Sequence, residues 1–204
     1  MQDHMIITLS RQYGSGGREV CELLSEKLNI PYFDREILTD AAEKLGVLEA
    51  DYETLNQMSY KTDRITFGVD MSFPRDAFQR SDNNQMFLQQ SAIIRKLASQ
   101  GSAIFLGRCS DYVLKDQDQC YSFYTYADDE FRARRAAEKY GNMTLKDLEK
   151  IDKKRRTYYR LHTGGRELGE KTNYHMMLNA GKTGTKAAAD VIMDYISKVQ
   201  KPET

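Results

Sequence analysis

Apolar residues recur along the chain with two periods. Short apolar runs at 5–9, 31–33, 103–106, 121–126 and 175–178 are bounded by turn residues and read as strands. Between them, Val20, Leu23, Leu24 and Leu28 fall on one helical face, and Ile37, Leu38, Ala41, Ala42 and Leu45 repeat that spacing. Segments 86–97, 130–140, 145–161 and 186–199 also read as helices. Short strands alternating with helices predict βαβ units, hence a three-layer α/β/α fold around a central parallel sheet of about five strands. The stretch at about 50–84 fits this scheme poorly. It mixes aromatic, charged and Ser/Thr residues around Gly68 and Pro74, and it is too long for an ordinary loop. A partly helical, mobile insertion over the site is expected there.

With 204 residues, three prolines and no repeat or low-complexity tract, the chain reads as a single domain over 1–204. Thirty Lys and Arg balance thirty Asp and Glu, which argues against a protein that coats nucleic acid or a polybasic membrane surface. No apolar run approaches the length of a signal peptide core or a spanning helix, so a cytoplasmic protein without membrane partners is expected. Cys21, Cys109 and Cys120 lack CxxC spacing and read as buried free thiols; His4, His162 and His175 lack metal-ligand spacing. The neutrality is a cancellation. Residues 132–166 hold twelve Lys and Arg against four Asp and Glu, a net +8. Part of that charge reads as a solvated helix face, with Glu149–Lys153 and Asp152–Arg156 as i,i+4 pairs worth about 0.2–0.5 kcal/mol each.

The candidate chemistry begins where the first strand runs into Ser10-Arg11-Gln12-Tyr13-Gly14-Ser15-Gly16-Gly17-Arg18-Glu19 and a helix follows at once. Glycines let the backbone approach an anion, and the free N–H groups of a helix start favour negative charge. The pattern G-x-x-x-x-G-K-[ST] is matched imperfectly. With Gly14-Ser15-Gly16 as its Gly-Ser-Gly, Gly17 stands at the lysine; slid by one residue, Arg18 takes that place and Glu19 that of the hydroxyl. Either way Arg11 or Arg18 must supply the positive charge, and an arginine fork can hold phosphate oxygens bidentately.

This loop, together with Tyr32-Phe33-Asp34-Arg35-Glu36, Gly107-Arg108-Cys109-Ser110-Asp111-Tyr112 and Asn173-Tyr174-His175, resembles the cytidylate kinase-like family, relatives of the P-loop nucleoside monophosphate kinases. The resemblance covers about residues 5–200 and is weakest between 50 and 84. It implies a P-loop kinase fold, a monophosphate-binding insertion at about 50–84 and an arginine-bearing helical lid at about 139–172. It implies transfer of the ATP γ-phosphoryl group, with Mg²⁺, to CMP, dCMP or a related small acceptor. Non-catalytic nucleotide binding, or a kinase for a different small molecule, are the alternatives.

Carried over by position, Gly14, Ser15, Gly16 and Gly17, with Arg11 and Arg18, match the phosphate loop. Asp34, Arg35 and Arg108 match the acceptor side. Arg132 and Arg135 match arginines entering the lid, and Arg155 one beyond it, so that Arg18, Arg132, Arg135 and Arg155 are the candidates for stabilising the transferring phosphoryl group. Cys109 and Leu106 stand where the family's motif carries acids, and no metal ligand is assigned.

Overall fold

The computed structural model describes residues 4–34, 75–141 and 143–200. Strands β1 (Ile6–Arg11), β2 (Tyr32–Phe33), β3 (Ala103–Leu106), β4 (Cys120–Tyr126) and β5 (Met176–Asn179) form one sheet in the order β2-β3-β1-β4-β5. Every pairing is parallel, with Ile6 opposite both Ala103 and Cys120, so all five carboxyl ends face one edge. The connections supply α1 (Gly17–Leu28), α2 (Arg75–Gln100), α3 (Ser110–Val113), α4 (Asp129–Lys139) and α5 (Leu145–His162), and α6 (Ala180–Thr183) and α7 (Thr185–Val199) follow β5. The five-stranded, all-parallel α/β expectation is met.

Alternation along the strands builds the layers, because successive side chains leave opposite faces. Ile7 and Leu9, with Ile104 and Leu106, bury against Val20, Cys21 and Leu24 of α1 and Ala188, Ala189, Ile192 and Ile196 of α7. On the other face Ile6 and Phe105 join Ile93, Ile94 and Ala98 of α2 and Leu114. Burying one such aliphatic side chain contributes about 1.5–3 kcal/mol.

Two boundaries differ from the sequence reading. Strand β1 runs on through Ser10 and Arg11, which pair with Tyr124 and Thr125 of β4, so Arg11 is a strand residue rather than part of the loop. Polar Ser10 and Thr8 hide this continuation, although both are buried and Thr8 bonds Ser122 at 2.9 Å. Helix α2 begins at Arg75, so the end of the presumed insertion is helical. The expected helix over 37–45, Arg35 and the rest of the insertion up to Pro74 lie outside the described residues. The charged helix α5 starts where its sequence says: Thr144 and Asp147 form a reciprocal capping box. Among the described residues no helix is long and apolar enough to cross a membrane.

Candidate functional site

The loop after β1 is wound tightly against its neighbours. Gly14 and Gly16 have φ of 81° and 89°, and Gly16 caps α1 without any side-chain cap. The first-turn amides of α1 are therefore left for solvent or an anion. Ser15 is fully buried and turns inward, its hydroxyl donating to the Gln12 carbonyl at 2.9 Å. A Cβ on Gly16 would stand 2.6 Å from Thr185 Cγ2, so glycine is required both for φ and for space.

Gly17 is required for another reason. A Cβ there would lie 2.7 Å from Thr125 Oγ1 and 3.0 and 3.1 Å from Arg11 Cβ and Cγ. The Arg11 stem covers this point, and its guanidinium rests on Gly107, where a Cβ would come within 3.0 Å of Arg11 Cζ. Burial, followed by the nearby Arg155, pushes the Arg11 guanidinium down to about 9. Gly107, Arg108 and Cys109 all adopt positive φ at the end of β3 (73°, 57° and 55°). For the two non-glycine residues this is sparsely populated backbone, of the kind that clusters at functional sites.

The candidate arginines sort into two groups by their partners. Arg132 and Asp152 are both buried and pair at 2.5 Å. Arg132 also donates to the Tyr13 carbonyl at 2.8 Å, while Asp152 accepts the Tyr13 N–H at 2.7 Å. One ion pair from α4 and α5 thus grips both polar groups of a loop residue. Burial pushes the Asp152 carboxyl up despite Arg132 and Arg155 nearby. Arg135 pairs with Glu19, which also meets Lys139 at 3.4 Å and accepts from Thr185 at 3.0 Å. The Arg135 hydrogen bond holds the Glu19 carboxyl below its usual range. Arg18 extends from α1 to the buried Asp34 after β2.

Arg11 and Arg108 form no hydrogen bond or ion pair with a described residue, and Asp34, the carboxylate near Arg11, bonds Arg18. Arg155 stacks its guanidinium 4.9 Å from the Tyr13 ring centroid and reaches Asp152 at 3.7 Å, with Nη1 otherwise unsatisfied. The three lie in one electrostatic neighbourhood, since Arg155 and Arg108 depress the Arg11 guanidinium and Arg108 that of Arg155. They gather at the carboxyl ends of β1 and β3, where α/β sheets bind ligands.

Residues that sequence reasoning did not assign complete the frame. Asp111, three residues past Arg108, is buried and accepts from Tyr159 of α5 at 2.5 Å and from Ser10 at 3.4 Å. Burial pushes its carboxyl up, offset in part by those bonds. Thr185 closes the far side of the loop. Asp152 was read as pairing with Arg156 along its own helix, but it turns to Arg132; nothing local marks a partner twenty positions away. Tyr159 is itself buried and supports Asp111. Cys21 and Cys109 are buried free thiols and Cys120 is half-buried.

An open cleft of about 620 Å³ flanks the loop at Gln12, lined by Arg132, Lys146, Lys150, Lys153 and Arg156 among others. It lies beside the Arg11–Arg108–Arg155 group, which it does not include. Fitting a metal is another matter. No group of three His, Cys, Asp or Glu able to hold an ion occurs among the described residues, and the Glu19 carboxylate is engaged by Arg135, Lys139 and Thr185. The donor set does not make a preformed magnesium site.

Three solved structures share the fold along nearly the whole chain. An uncharacterised protein from Eubacterium ventriosum ATCC 27560 matches with TM-score 0.69 at 24% identity, over 96% of this chain and 99% of that one. A shikimate kinase from Acinetobacter baumannii in complex with shikimate gives 0.55 at 14% identity, over 99% and 97%. A gluconokinase from Sinorhizobium meliloti 1021 gives 0.55 at 13% identity, over 98% of both. These likenesses establish the P-loop kinase fold. Among curated proteins none matches by sequence. The family model described as the cytidylate kinase-like family matches residues 6–182, and with that span, this sheet and this loop, the chain belongs to the cytidylate kinase-like family.

Proposed function

We propose that the protein is an ATP-dependent phosphotransferase of the cytoplasm that moves the γ-phosphoryl group to CMP, dCMP or a related small phosphate ester. The observation that carries this reading is the gathering of Arg11, Arg108 and Arg155 at the strand ends, with Arg11 and Arg108 lacking any ion-pair partner among the described residues. Buried or half-buried guanidinium groups repel one another and lose hydration, so an anionic ligand is what this arrangement accommodates. In the proposal the amides of Gly14–Gly17 hold the donor phosphates, and Arg11 and Arg155 neutralise charge around the transferred group, while Arg18 is held by Asp34. Arg108, Asp34 and Arg35 belong to the acceptor side. Arg135 is held by Glu19, and Arg132 fixes the loop through Asp152 and Tyr13.

Phosphoryl transfer asks for in-line positioning, charge neutralisation and exclusion of water rather than covalent chemistry by the protein. A phosphate acceptor is already an anionic nucleophile, so no general base is required. Because the described side chains offer no preformed magnesium site, Mg²⁺ enters this proposal as the counter-ion of the nucleotide, and no step is assigned to it.

A coupled assay of ADP release with CMP, dCMP, UMP, AMP, shikimate and gluconate tests the reading. ADP formation dependent on a nucleoside monophosphate is expected. Turnover with shikimate or gluconate alone would replace the acceptor class. ATP binding by calorimetry with no turnover would select the non-catalytic alternative, which the glycine at position 17 favours.

A further inference from the structure

The two departures of the loop from G-x-x-x-x-G-K are reciprocal. With Gly16-Gly17 in the place of G-K, the first glycine of the pattern falls on Arg11. Glycine thus stands where lysine is expected and a cation where glycine is expected. The extension of β1 explains how. Arg11 is its last residue, paired opposite Thr125, and its Cβ and Cγ lie 3.0 and 3.1 Å from where a Cβ on residue 17 would be. Thr125 Oγ1 closes the other side at 2.7 Å. The space a lysine stem would use at position 17 is occupied by the arginine stem entering from position 11. The guanidinium then crosses to Gly107, whose lack of a side chain makes room for it.

The geometry points to Arg11 as the phosphate-binding cation that replaces the missing lysine, reaching the site from the strand instead of from the helix, with Gly17 and Gly107 kept small to admit it. The inference rests on the phosphate-loop reading above and assigns the loop's charge to one of the two arginines that sequence left open. Arg18 is the other. Its side chain is half-exposed and turned to Asp34, whereas Arg11 has no carboxylate of its own among the described residues. The replacement changes the chemistry. A planar fork of five donors fixed between Gly17 and Gly107 favours bidentate contact with phosphate oxygens, where a lysine offers a mobile point charge.

A swap experiment on the full chain tests this, with inorganic pyrophosphate as the calorimetric probe and thermal melting as the control for folding. Arg11→Met keeps the stem and removes the charge. It is expected to hold the melting temperature and weaken pyrophosphate by about 10- to 100-fold, the scale of one charge-assisted contact. Gly17→Lys alone is expected to lower both melting temperature and affinity, because its stem meets Arg11 and Thr125. Arg11→Gly/Gly17→Lys is expected to bind pyrophosphate at least 10-fold more tightly than Arg11→Met, restoring the lysine arrangement. Unchanged affinity in Arg11→Met overturns the assignment, as does a double variant no better than Arg11→Met or a wild-type protein that does not bind pyrophosphate. Gly17→Lys with wild-type stability and affinity overturns the packing argument. Wild-type binding of pyrophosphate together with absent ADP formation would sink the kinase proposal while leaving the Arg11 assignment standing.

Discussion

Replacing Asp152 by Asn cuts the ion pair that clamps the phosphate loop to α5. The pair is buried on both sides, at 3% and 4% exposure for Arg132 and Asp152. Removing one partner of such a pair costs about 3–5 kcal/mol, because the other charge stays buried and unpaired. The low end applies here. Asparagine still offers an oxygen to the Tyr13 N–H, and Arg132 keeps the exposed Asp129 at 3.1 Å. A loss of about 3 kcal/mol corresponds to about 6–12 °C in melting temperature for a chain of this size. Thermal and urea melts of Asp152→Asn, Arg132→Met and the double variant measure it. The double variant is expected to be less unstable than the sum of the singles by at least about 1 kcal/mol, since neither charge is then left alone. The pH response gives an independent check. Burial already raises the Asp152 carboxyl, and removing Arg132 raises it further. A carboxyl whose folded pKa exceeds its unfolded value makes the folded state the better proton binder, so stability falls as pH rises through that interval. The deficit of Arg132→Met is therefore expected to shrink as pH falls from 7 toward 4. Additive singles, or a drop below about 2 °C for Asp152→Asn, would refute the clamp.

Glu19 titrates with the opposite sign. Its hydrogen bond from Arg135 lowers its carboxyl from 4.5, so its contribution is complete above the unfolded pKa and is lost as pH falls through the folded one. The stability advantage of wild type over Glu19→Gln should be flat above about pH 5 and decline progressively as pH falls below 4.5; an advantage that grows on acidification would contradict the Arg135 pairing. Gly16→Ala combines a left-handed backbone of 89° with a methyl 2.6 Å from Thr185 Cγ2. A cost of about 1–3 kcal/mol in urea unfolding and weakened pyrophosphate binding are expected, with unchanged affinity counting against the loop as the phosphate cradle.

The layers were legible because core burial imposes periodicity on sequence. Alternation in β1 and β3 sends Ile6 and Phe105 to one face and Ile7, Leu9 and Leu106 to the other, whereas the strand order was not read from the sequence. The extension of β1 was not legible, since Ser10 and Arg11 are polar residues whose strand pairing, with Tyr124 and Thr125, lies far along the chain. Asp111 sits 101 positions from Ser10 and 48 from Tyr159, and Asp152 is 139 from Tyr13. Such partners leave no local signature, whereas glycine spacing, capping boxes and amphipathic faces do. The candidate arginines were visible as residue types, but not by whether a carboxylate already holds them.

That distinction decides what the excess charge of residues 132–166 does. Arg132 and Arg135 are both matched by acids that the chain itself supplies, from α5 and α1 respectively, and Arg18 is matched by Asp34. Pairing of this kind fixes elements to one another: Asp152 and Arg132 tie α4 and α5 to Tyr13, while Glu19 ties α1 to α4 and, through Thr185, to α7. Among the described residues Arg11 and Arg108 receive no such partner, Arg11 ending β1 and Arg108 lying just past β3; Arg155 has one acid at 3.7 Å, already shared with Arg132. A phosphate arriving among these three would meet donors whose positions are set by packing and whose charge is not yet compensated, the condition under which an electrostatic contact needs little reorganisation. In the proposed function the paired arginines hold the frame, and those without a partner among the described residues are left for the ligand. Neutrality of the whole chain is compatible with that division, since Asp152, Glu19 and Asp34 are engaged by Arg132, Arg135 and Arg18.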